Sequence, residues 1–249
     1  MKQTSRKKVL LSSVAMMMVA TVSLSSATYA WFSTKTTATA EGVNVKTSQA
    51  SSLVLSLDQE EWKSTIDLGI NNGETGEKKG AKNLEPGSTA DLSNWFTATS
   101  TGYDQGSVDT TTITSGKAGT NYVAKTFYLK SIGNDLTVDW NIIFDENQVA
   151  TDKNYMRTAM TITDTETNQV FWWSDNGETT KALTSTGVSD ADVTTSAAVT
   201  GKLAKLTKDK VYTMNLYVWF EGQDAQCIDT KAGTVCDFDV QFTKSAVQD

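Results

Sequence analysis

The chain contains no histidine, one proline and only two cysteines among its 249 residues. The absence of histidine excludes the Ser-His-Asp and Cys-His catalytic arrangements, every zinc site that uses His, and the commonest general base of enzymes. Any enzymatic chemistry would have to rely on carboxylates, Lys or Tyr alone. The sequence therefore predicts no catalytic residue, no metal site and no cofactor.

Basic residues are also few, since 22 Lys and Arg stand against 29 Asp and Glu and the net charge is −7. Contacts to phosphate need clustered Lys or Arg, and no such cluster is visible. We therefore predict no binding to nucleic acid. The acidic charge suits solubility, cation binding or repulsion from other acidic surfaces equally well.

The first thirty residues have the layout of a secretory signal peptide. A basic start precedes an apolar run from Val9 to Leu24, whose 16 residues are short of the roughly 20 that a membrane-spanning helix needs. Small residues favour cleavage after Ala30, with Ala27 as the alternative site. The product, residues 31–249, would be secreted with a net charge of −11 and no stable membrane insertion. An uncleaved N-terminal anchor is the competing interpretation.

The two cysteines, Cys227 and Cys236, are separated by eight residues. In a chain that leaves the cytoplasm this spacing favours one intramolecular disulfide, which would act as a local staple. Two free thiols are the alternative. A metal site built on the pair would lack His to complete it.

Alternation of apolar and polar residues is the dominant pattern after the signal segment. It predicts three long strands, over Leu136 to Phe144, Tyr212 to Phe220 and Cys236 to Phe242. Shorter runs bounded by turn-forming residues predict six more: Val43 to Thr47, Leu53 to Leu57, Asn94 to Thr99, Tyr122 to Ser131, Met156 to Thr163 and Val170 to Ser174. Many short strands without helical periods predict an all-β, jelly-roll-like β-sandwich over residues 51–249.

Three segments lie between or beside the predicted strands. Asp164 to Asn168 is typical of a hairpin turn. Ser100 to Thr120 is rich in Thr, Gly and Ser and predicts a long mobile surface loop. The pattern also allows one short helix around Asp190 to Leu206, although its Thr and Gly residues have low helix propensity.

Pairs of acidic residues and a pair of tryptophans are the remaining candidates for chemistry or binding. Paired acids can hydrolyse a glycosidic bond or hold Ca²⁺, but at alternating strand positions they more often form a solvated face; the pairs are Glu60 and Glu61, Asp145 and Glu146, Asp190 and Asp192, and Asp237 and Asp239. Trp172 and Trp173 are neighbours, so in a strand their rings point to opposite faces. One ring could stack on a sugar, whereas packing of both is the favoured interpretation.

Residues 31–50 form an N-terminal extension that begins with Trp31 and Phe32 and continues as a β-prone, Thr-rich tract. Such a segment has backbone donors and acceptors to satisfy and apolar rings to bury. It can lie on its own domain or add to an open strand of a neighbour by β-augmentation. The sequence leaves these two possibilities open.

Four segments resemble the TasA/camelysin family of Gram-positive bacteria. They are Ala27-Thr28-Tyr29-Ala30-Trp31-Phe32-Ser33, Leu84-Glu85-Pro86-Gly87, Leu129-Lys130-Ser131-Ile132-Gly133-Asn134-Asp135-Leu136, and Tyr217-Val218-Trp219-Phe220-Glu221-Gly222-Gln223-Asp224-Ala225-Gln226-Cys227. The aromatic start after the cleavage site and the W-x-E-G-Q-D segment are the more specific parts. A second cysteine at Cys236 is not a feature that the resemblance itself requires.

The resemblance implies a jelly-roll subunit that is trimmed by a SipW-type signal peptidase and assembled into extracellular fibres of the biofilm matrix. Such fibres grow as each subunit donates an N-terminal strand to the next. On this chain the donor would run from Trp31 to about Thr47, and its deletion would leave a soluble monomer; the residues expected to carry it are Trp31, Phe32, Thr34, Thr36, Val43 and Val45. The metalloprotease activity described for camelysin has no support here, since the chain has no His.

These observations together predict a secreted structural subunit that binds copies of itself, with a minor anchoring or nucleating protein as an optional partner. The alternative is a surface adhesin or carbohydrate-binding β-sandwich that uses Trp172 or Trp173. A hydrolase based on carboxylates is the third hypothesis.

Overall fold

The structure is a computed structural model that describes residues 38–48, 53–68, 82–100, 103–104, 107–108, 111–144, 155–163, 168–174, 177, 179–198, 200–224, 227 and 235–244. All secondary-structure elements in these ranges are β-strands. No helix long and apolar enough to cross a membrane is found in the described residues. In chain order the strands are β1 (Ala38–Ser48), β2 (Leu53–Ser56), β3 (Thr65–Asp67), β4 (Lys82–Leu84), β5 (Ser88–Thr89), β6 (Trp95–Ser100), β7 (Tyr103–Asp104), β8 (Ser107–Val108), β9 (Thr111–Ser115), β10 (Tyr122–Ser131), β11 (Val138–Phe144), β12 (Met156–Thr163), β13 (Asn168–Trp173), β14 (Thr179–Thr184), β15 (Gly187–Thr194), β16 (Thr200–Lys202), β17 (Val211–Phe220) and β18 (Val235–Lys244).

Two larger sheets form the body of the fold. Sheet I has the order β16-β11-β18-β1-β3, and β4 also pairs with β1. Sheet II has the order β13-β12-β17-β10-β2 and is antiparallel throughout. In sheet I only the pairing of β1 with β18 is parallel among the described ladders.

The main core lies between these two sheets because alternate side chains of each strand face inward. On β17, Tyr212, Met214, Leu216 and Val218 are each at most 2% exposed, and the residues between them are half-buried. The rings of Phe127 and Phe242 meet across the sandwich with centroids 6.1 Å apart. Burial of a large apolar side chain contributes roughly 1.5 to 3 kcal/mol, so this layer supplies most of the driving force for folding. The predicted all-β sandwich is confirmed.

The alternation on β17 ends at Trp219, which faces outward and is nevertheless only 1% exposed. A small third layer covers it, made by the sheet β5-β6-β9 together with the β14-β15 hairpin. Trp95 of β6 meets Trp219 edge to face at 5.3 Å and stacks on Tyr122 at 3.9 Å. Outer-face aromatic residues of sheet II are therefore packing residues.

Two predictions about irregular segments are wrong. The segment Ser100 to Thr120, predicted as a mobile loop, contains β7, β8 and β9, and β9 pairs along its length with β6. Its Thr residues are β-branched and favour strands, which outweighs their frequency in loops. The short helix around Asp190 to Leu206 is replaced by the end of β15 and by β16. The strands on either side of the predicted hairpin turn Asp164 to Asn168, β12 and β13, pair antiparallel up to Thr163 with Asn168, and residues 164–167 lie outside the described ranges.

Candidate functional site

The predicted donor segment is only partly within the described ranges. Trp31, Phe32, Thr34 and Thr36 lie outside them, whereas Val43 and Val45 lie on β1. The side chain of Val45 is fully buried in the main core. The structure therefore places the second half of the predicted donor inside the sheet of its own chain.

β1 is an interior strand of sheet I. On one side it runs parallel to β18 through eight registered pairs, from Thr39 with Val235 to Ser48 with Thr243. On the other side it runs antiparallel to β4 near its start and to β3 near its end. One extra residue of β1 between Glu41 and Asn44 shifts the register against β18, as a β-bulge does. We call the channel between β18 and the pair β3 and β4 the β1 groove.

A row of apolar residues crosses the β1 groove at the level of Val45. Val45 is in register with Val240 of β18 and with Ile66 of β3, and Val240 is in register with Ile142 of β11. These four residues are between 0% and 6% exposed. β-branched neighbours on adjacent strands pack well on a pleated surface, so this row fixes the position of β1.

Two segments that carry the family resemblance meet at the far end of β17. The backbone N–H of Gly87 donates to the carbonyl of Phe220 at 2.9 Å, and the N–H of Gly222 donates to the carbonyl of Gly87 at 3.1 Å. A Cβ on Gly87 would lie 2.9 Å from the carbonyl oxygen of Asn121, which is too close. The Leu84-Glu85-Pro86-Gly87 turn is thus packed directly against the W-x-E-G-Q-D segment.

The acidic residues of the W-x-E-G-Q-D segment are buried in a polar network. Arg157 Nη2 donates to Asp224 Oδ2 at 2.7 Å, and the two side chains are 1% and 3% exposed. Glu221 accepts hydrogen bonds from Trp219 Nε1 and from the backbone N–H of Gln223, each at 3.1 Å. Buried charges are tolerated when they are paired and hydrogen-bonded, so this network is structural. Nothing in the sequence around Arg157 distinguishes it from a solvated charge.

Burial raises the pKa of the Glu221 carboxyl, and hydrogen bonds from Trp219 and Ser88 together with the charge of Arg157 oppose this rise only in part. The folded chain therefore holds a proton that the unfolded chain releases above the ordinary value of 4.5. Stability from this group is fully present below that value and is lost as the pH rises through the raised pKa.

We expect Glu221→Gln to flatten the fall in the free energy of unfolding that accompanies rising pH, because the amide cannot ionise. Urea unfolding from about pH 4 to about pH 8 at constant ionic strength measures the difference between the two proteins. Glu61→Gln is the matched control, since the Glu61 side chain is 71% exposed. An unchanged slope in Glu221→Gln would contradict the assignment.

The remaining sequence candidates are the two cysteines and the paired acidic residues. Cys227 is fully buried in the main core, and Cys236 lies on β18 in register with Ala40. The disulfide between them stays a prediction. Asp58 Oδ1 accepts the backbone N–H groups of Glu60 and Glu61, which closes a turn after β2. Within the described ranges, no three Cys, Asp or Glu side chains are grouped to hold a metal.

The two neighbouring tryptophans point to opposite faces, as predicted. Trp173 fills the main core at 1% exposure, and half-buried Trp172 meets Trp219 edge to face at 5.9 Å.

The chain matches no protein-family model, no curated protein and no solved structure. Because no known protein matches, the functional interpretation rests on the structure, and above all on the position of β1 inside sheet I.

Proposed function

We propose that the chain is a secreted structural subunit of an extracellular fibre, cleaved after Ala30 and assembled by exchange of β1 between neighbouring copies. The observation that carries this proposal is that β1 precedes every other described strand and yet occupies an interior groove with a partner on each side. A strand that leaves such a groove exposes two rows of unpaired backbone groups. The same segment of another copy satisfies both rows with the contacts already present in one chain.

Exchange of an identical segment is a low-cost route to assembly because it needs no new interface. In such an assembly β1 of one copy leaves its own groove and occupies the β1 groove of a neighbour. Each copy then donates one strand and receives one. When every copy passes its strand forward, the contact is head to tail and does not close, and the product is a filament.

The sequence resemblance to the TasA/camelysin family supports the same assignment, and two of the segments that carry it are in contact at Gly87 and Glu221. By that resemblance the processing enzyme is a SipW-type signal peptidase and the location is the biofilm matrix or the cell surface. The polymer is formed by copies of this chain, with a minor anchoring or nucleating protein as an additional partner. No catalytic activity is part of the proposal.

A reversible crosslink between β1 and β18 tests strand exchange. Lys46 and Gln241 are registered neighbours, and adjacent strands lie at a spacing of about 4.8 Å that a disulfide can bridge. We expect the oxidised Lys46→Cys/Gln241→Cys protein to remain monomeric in electron micrographs and sedimentation. Reduction of the same sample should restore filaments.

The control for this crosslink fastens β18 on its other side. Asn141 of β11 is in register with Gln241 as well, so Asn141→Cys/Gln241→Cys introduces a similar bond without holding β1. This control should form filaments whether oxidised or reduced. Filaments from fully oxidised Lys46→Cys/Gln241→Cys protein would show that β1 is not exchanged.

A further inference from the structure

Beyond the third layer, a run of uncharged side chains covers the outward face of sheet II. Four neighbouring strands contribute to this surface, which we call the neutral face: β13, β12, β17 and β10. On β17 every outward side chain from Val211 to Trp219 is uncharged, and on β12 the same holds from Ala159 to Thr163. The centre of the neutral face is half-buried or exposed and consists of Thr126, Thr161, Thr163, Val170, Thr213 and Asn215.

One row of the neutral face crosses all four strands. Thr161 of β12 is in register with Val170 of β13 on one side and with Asn215 of β17 on the other. Asn215 is in turn in register with Thr126 of β10. Residues in register on neighbouring antiparallel strands point to the same side of a sheet. These four side chains therefore lie next to one another.

The outward face of sheet I, by contrast, carries charges of both signs. Lys202 of β16 is in register with Asp139 of β11, and Asp239 of β18 is an outward residue of the same sheet. On sheet II, Lys130 marks the margin of the neutral face, and its Nζ lies 3.8 Å above the ring of Trp62. The whole chain has a net charge of −7, so two copies repel each other overall. The neutral face is where two copies can approach with the least repulsion.

The polar side chains of the row are bonded to one another. Thr126 Oγ1 donates to Asn215 Oδ1 at 2.7 Å, and Asn215 Nδ2 donates to Thr161 Oγ1 at 3.1 Å. Covering polar groups that already have partners costs much less than covering unpaired ones. The Thr methyl groups and the side chain of Val170, which is 48% exposed, supply apolar surface beside them. Another uncharged sheet face can therefore cover the row at little cost.

The size of the neutral face determines how strongly it can bind. Four strands spaced by about 4.8 Å span about 14 Å, and the residues from Val211 to Tyr217 extend for about 20 Å, which gives an area of about 300 Å². A stable interface between two proteins buries about 800 Å² on each partner. Two isolated copies should therefore associate only weakly through this face. Copies linked into a filament present the face many times, and repeated weak contacts add up to a strong one.

We propose that the neutral face binds the same face of a second copy of this chain, so that neighbouring filaments associate side by side. A second copy fits because an uncharged, Thr-rich sheet face packs on another of its kind, as the faces of two sheets do at a distance of about 10 Å. The contact is isologous, since the same rows meet on both copies across a twofold axis. The association of filaments rests on the proposed function, whereas the pairing of two copies needs only the folded chain.

Sedimentation equilibrium of a chain that cannot exchange β1 tests the pairing. The oxidised Lys46→Cys/Gln241→Cys protein serves for this measurement, because β1 and β18 are held together in it. We expect a reversible dimer with a dissociation constant of about 1 mM, which suits an interface below the ordinary size. Adding Thr126→Glu/Thr163→Glu should weaken the dimer by about tenfold or more, because the new carboxylates of the two copies would face one another. Both positions are exposed, so the melting temperature should not change.

The matched control places the same two charges on the other sheet. Thr65 and Thr200 are exposed threonines on β3 and β16, the outer strands of sheet I, so Thr65→Glu/Thr200→Glu changes the net charge equally. This control should dimerise like the parent protein. Without the crosslink, we expect filaments of the chain to lie side by side in electron micrographs and those of Thr126→Glu/Thr163→Glu to remain single.

A crosslinked parent protein that stays monomeric up to about 2 mM would overturn the proposal, as would equal weakening in the two double variants. Retention of a monomeric protein on an insoluble glycan, lost only in Thr126→Glu/Thr163→Glu, would also overturn it and would assign the face to a saccharide. Dimers of the crosslinked protein together with no filaments from the chain without the crosslink would support the pairing and contradict the proposed function.

Discussion

Replacing Arg157 with alanine should lower the free energy of unfolding by about 3 to 5 kcal/mol, the range expected when one partner of a buried ion pair is removed. The guanidinium lies 2.7 Å from Asp224 at the end of the sandwich where β17 meets the Leu84 to Gly87 turn. Without it, the buried carboxyl groups of Asp224 and Glu221 lose the nearby positive charge. Urea unfolding followed by tryptophan fluorescence measures the effect.

Two further variants show whether the loss comes from burial of an unbalanced charge. Lys205→Ala removes a surface pair with Asp135, whose side chains are 67% and 44% exposed, and such pairs contribute little to stability. Arg157→Met combined with Asp224→Leu should recover part of the loss, because no unpaired charge then remains in that pair. A loss in Arg157→Ala no greater than in Lys205→Ala would contradict the buried network.

Removal of residues 31–48 should abolish the cooperative fold of the remaining chain. Val45 alone contributes roughly 1.5 to 3 kcal/mol by burial, and each backbone hydrogen bond of β1 adds about 0.5 to 1.5 kcal/mol. The sum approaches the whole stability of an ordinary domain, about 5 to 15 kcal/mol. From the sequence alone, deletion of residues 31–47 is predicted to leave a soluble monomer. The structure leads to a different prediction, loss of the cooperative fold, because β1 pairs within the sheet of its own chain. Thermal unfolding followed by circular dichroism provides the measurement.

Complementation in trans turns this truncation into a test of the β1 groove. A synthetic peptide of residues 31–48 added to the fragment 49–249 should restore a cooperative thermal transition whose midpoint rises with peptide concentration. A peptide that carries Val45→Asp should not restore it, because the charge would be buried without a partner between Val240 and Ile66. A fragment that unfolds like the complete chain without any peptide would show that β1 is dispensable.

The sequence predicted the longer strands of the two large sheets, by strict alternation for β11, β17 and β18 and by short runs between turn-forming residues for β10 and β12. It did not predict the short strands β3, β4 and β16 of sheet I. β10 begins and ends where the pattern placed it, at Tyr122 and Ser131, and β12 matches Met156 to Thr163 equally well. Burial of one face and hydration of the other is a local property, so a local pattern reveals it. The opposite directions of Trp172 and Trp173 follow from the same rule.

Features that depend on distant contacts could not be predicted. Arg157 occupies an outward position on β12, where a charge is ordinarily solvated, and it is buried beside Asp224, which lies 67 residues further along the chain. The parallel pairing of β1 with β18 has no signal in either strand. The concave surface lined by Trp140, Trp172 and Thr200 was likewise missed, because these residues come from separate parts of the chain.

The pairing of β1 with β18 has a kinetic consequence. The first described strand of the chain finds its longest ladder on the last one, so sheet I cannot be completed until synthesis has reached β18. Contacts between residues far apart in sequence slow folding, since the intervening chain must be closed into a loop first. A newly made chain therefore spends longer unfolded than one built from local hairpins. During that interval β1 of a neighbouring copy can enter the groove that the chain's own β1 has not yet filled, as the proposed strand exchange requires.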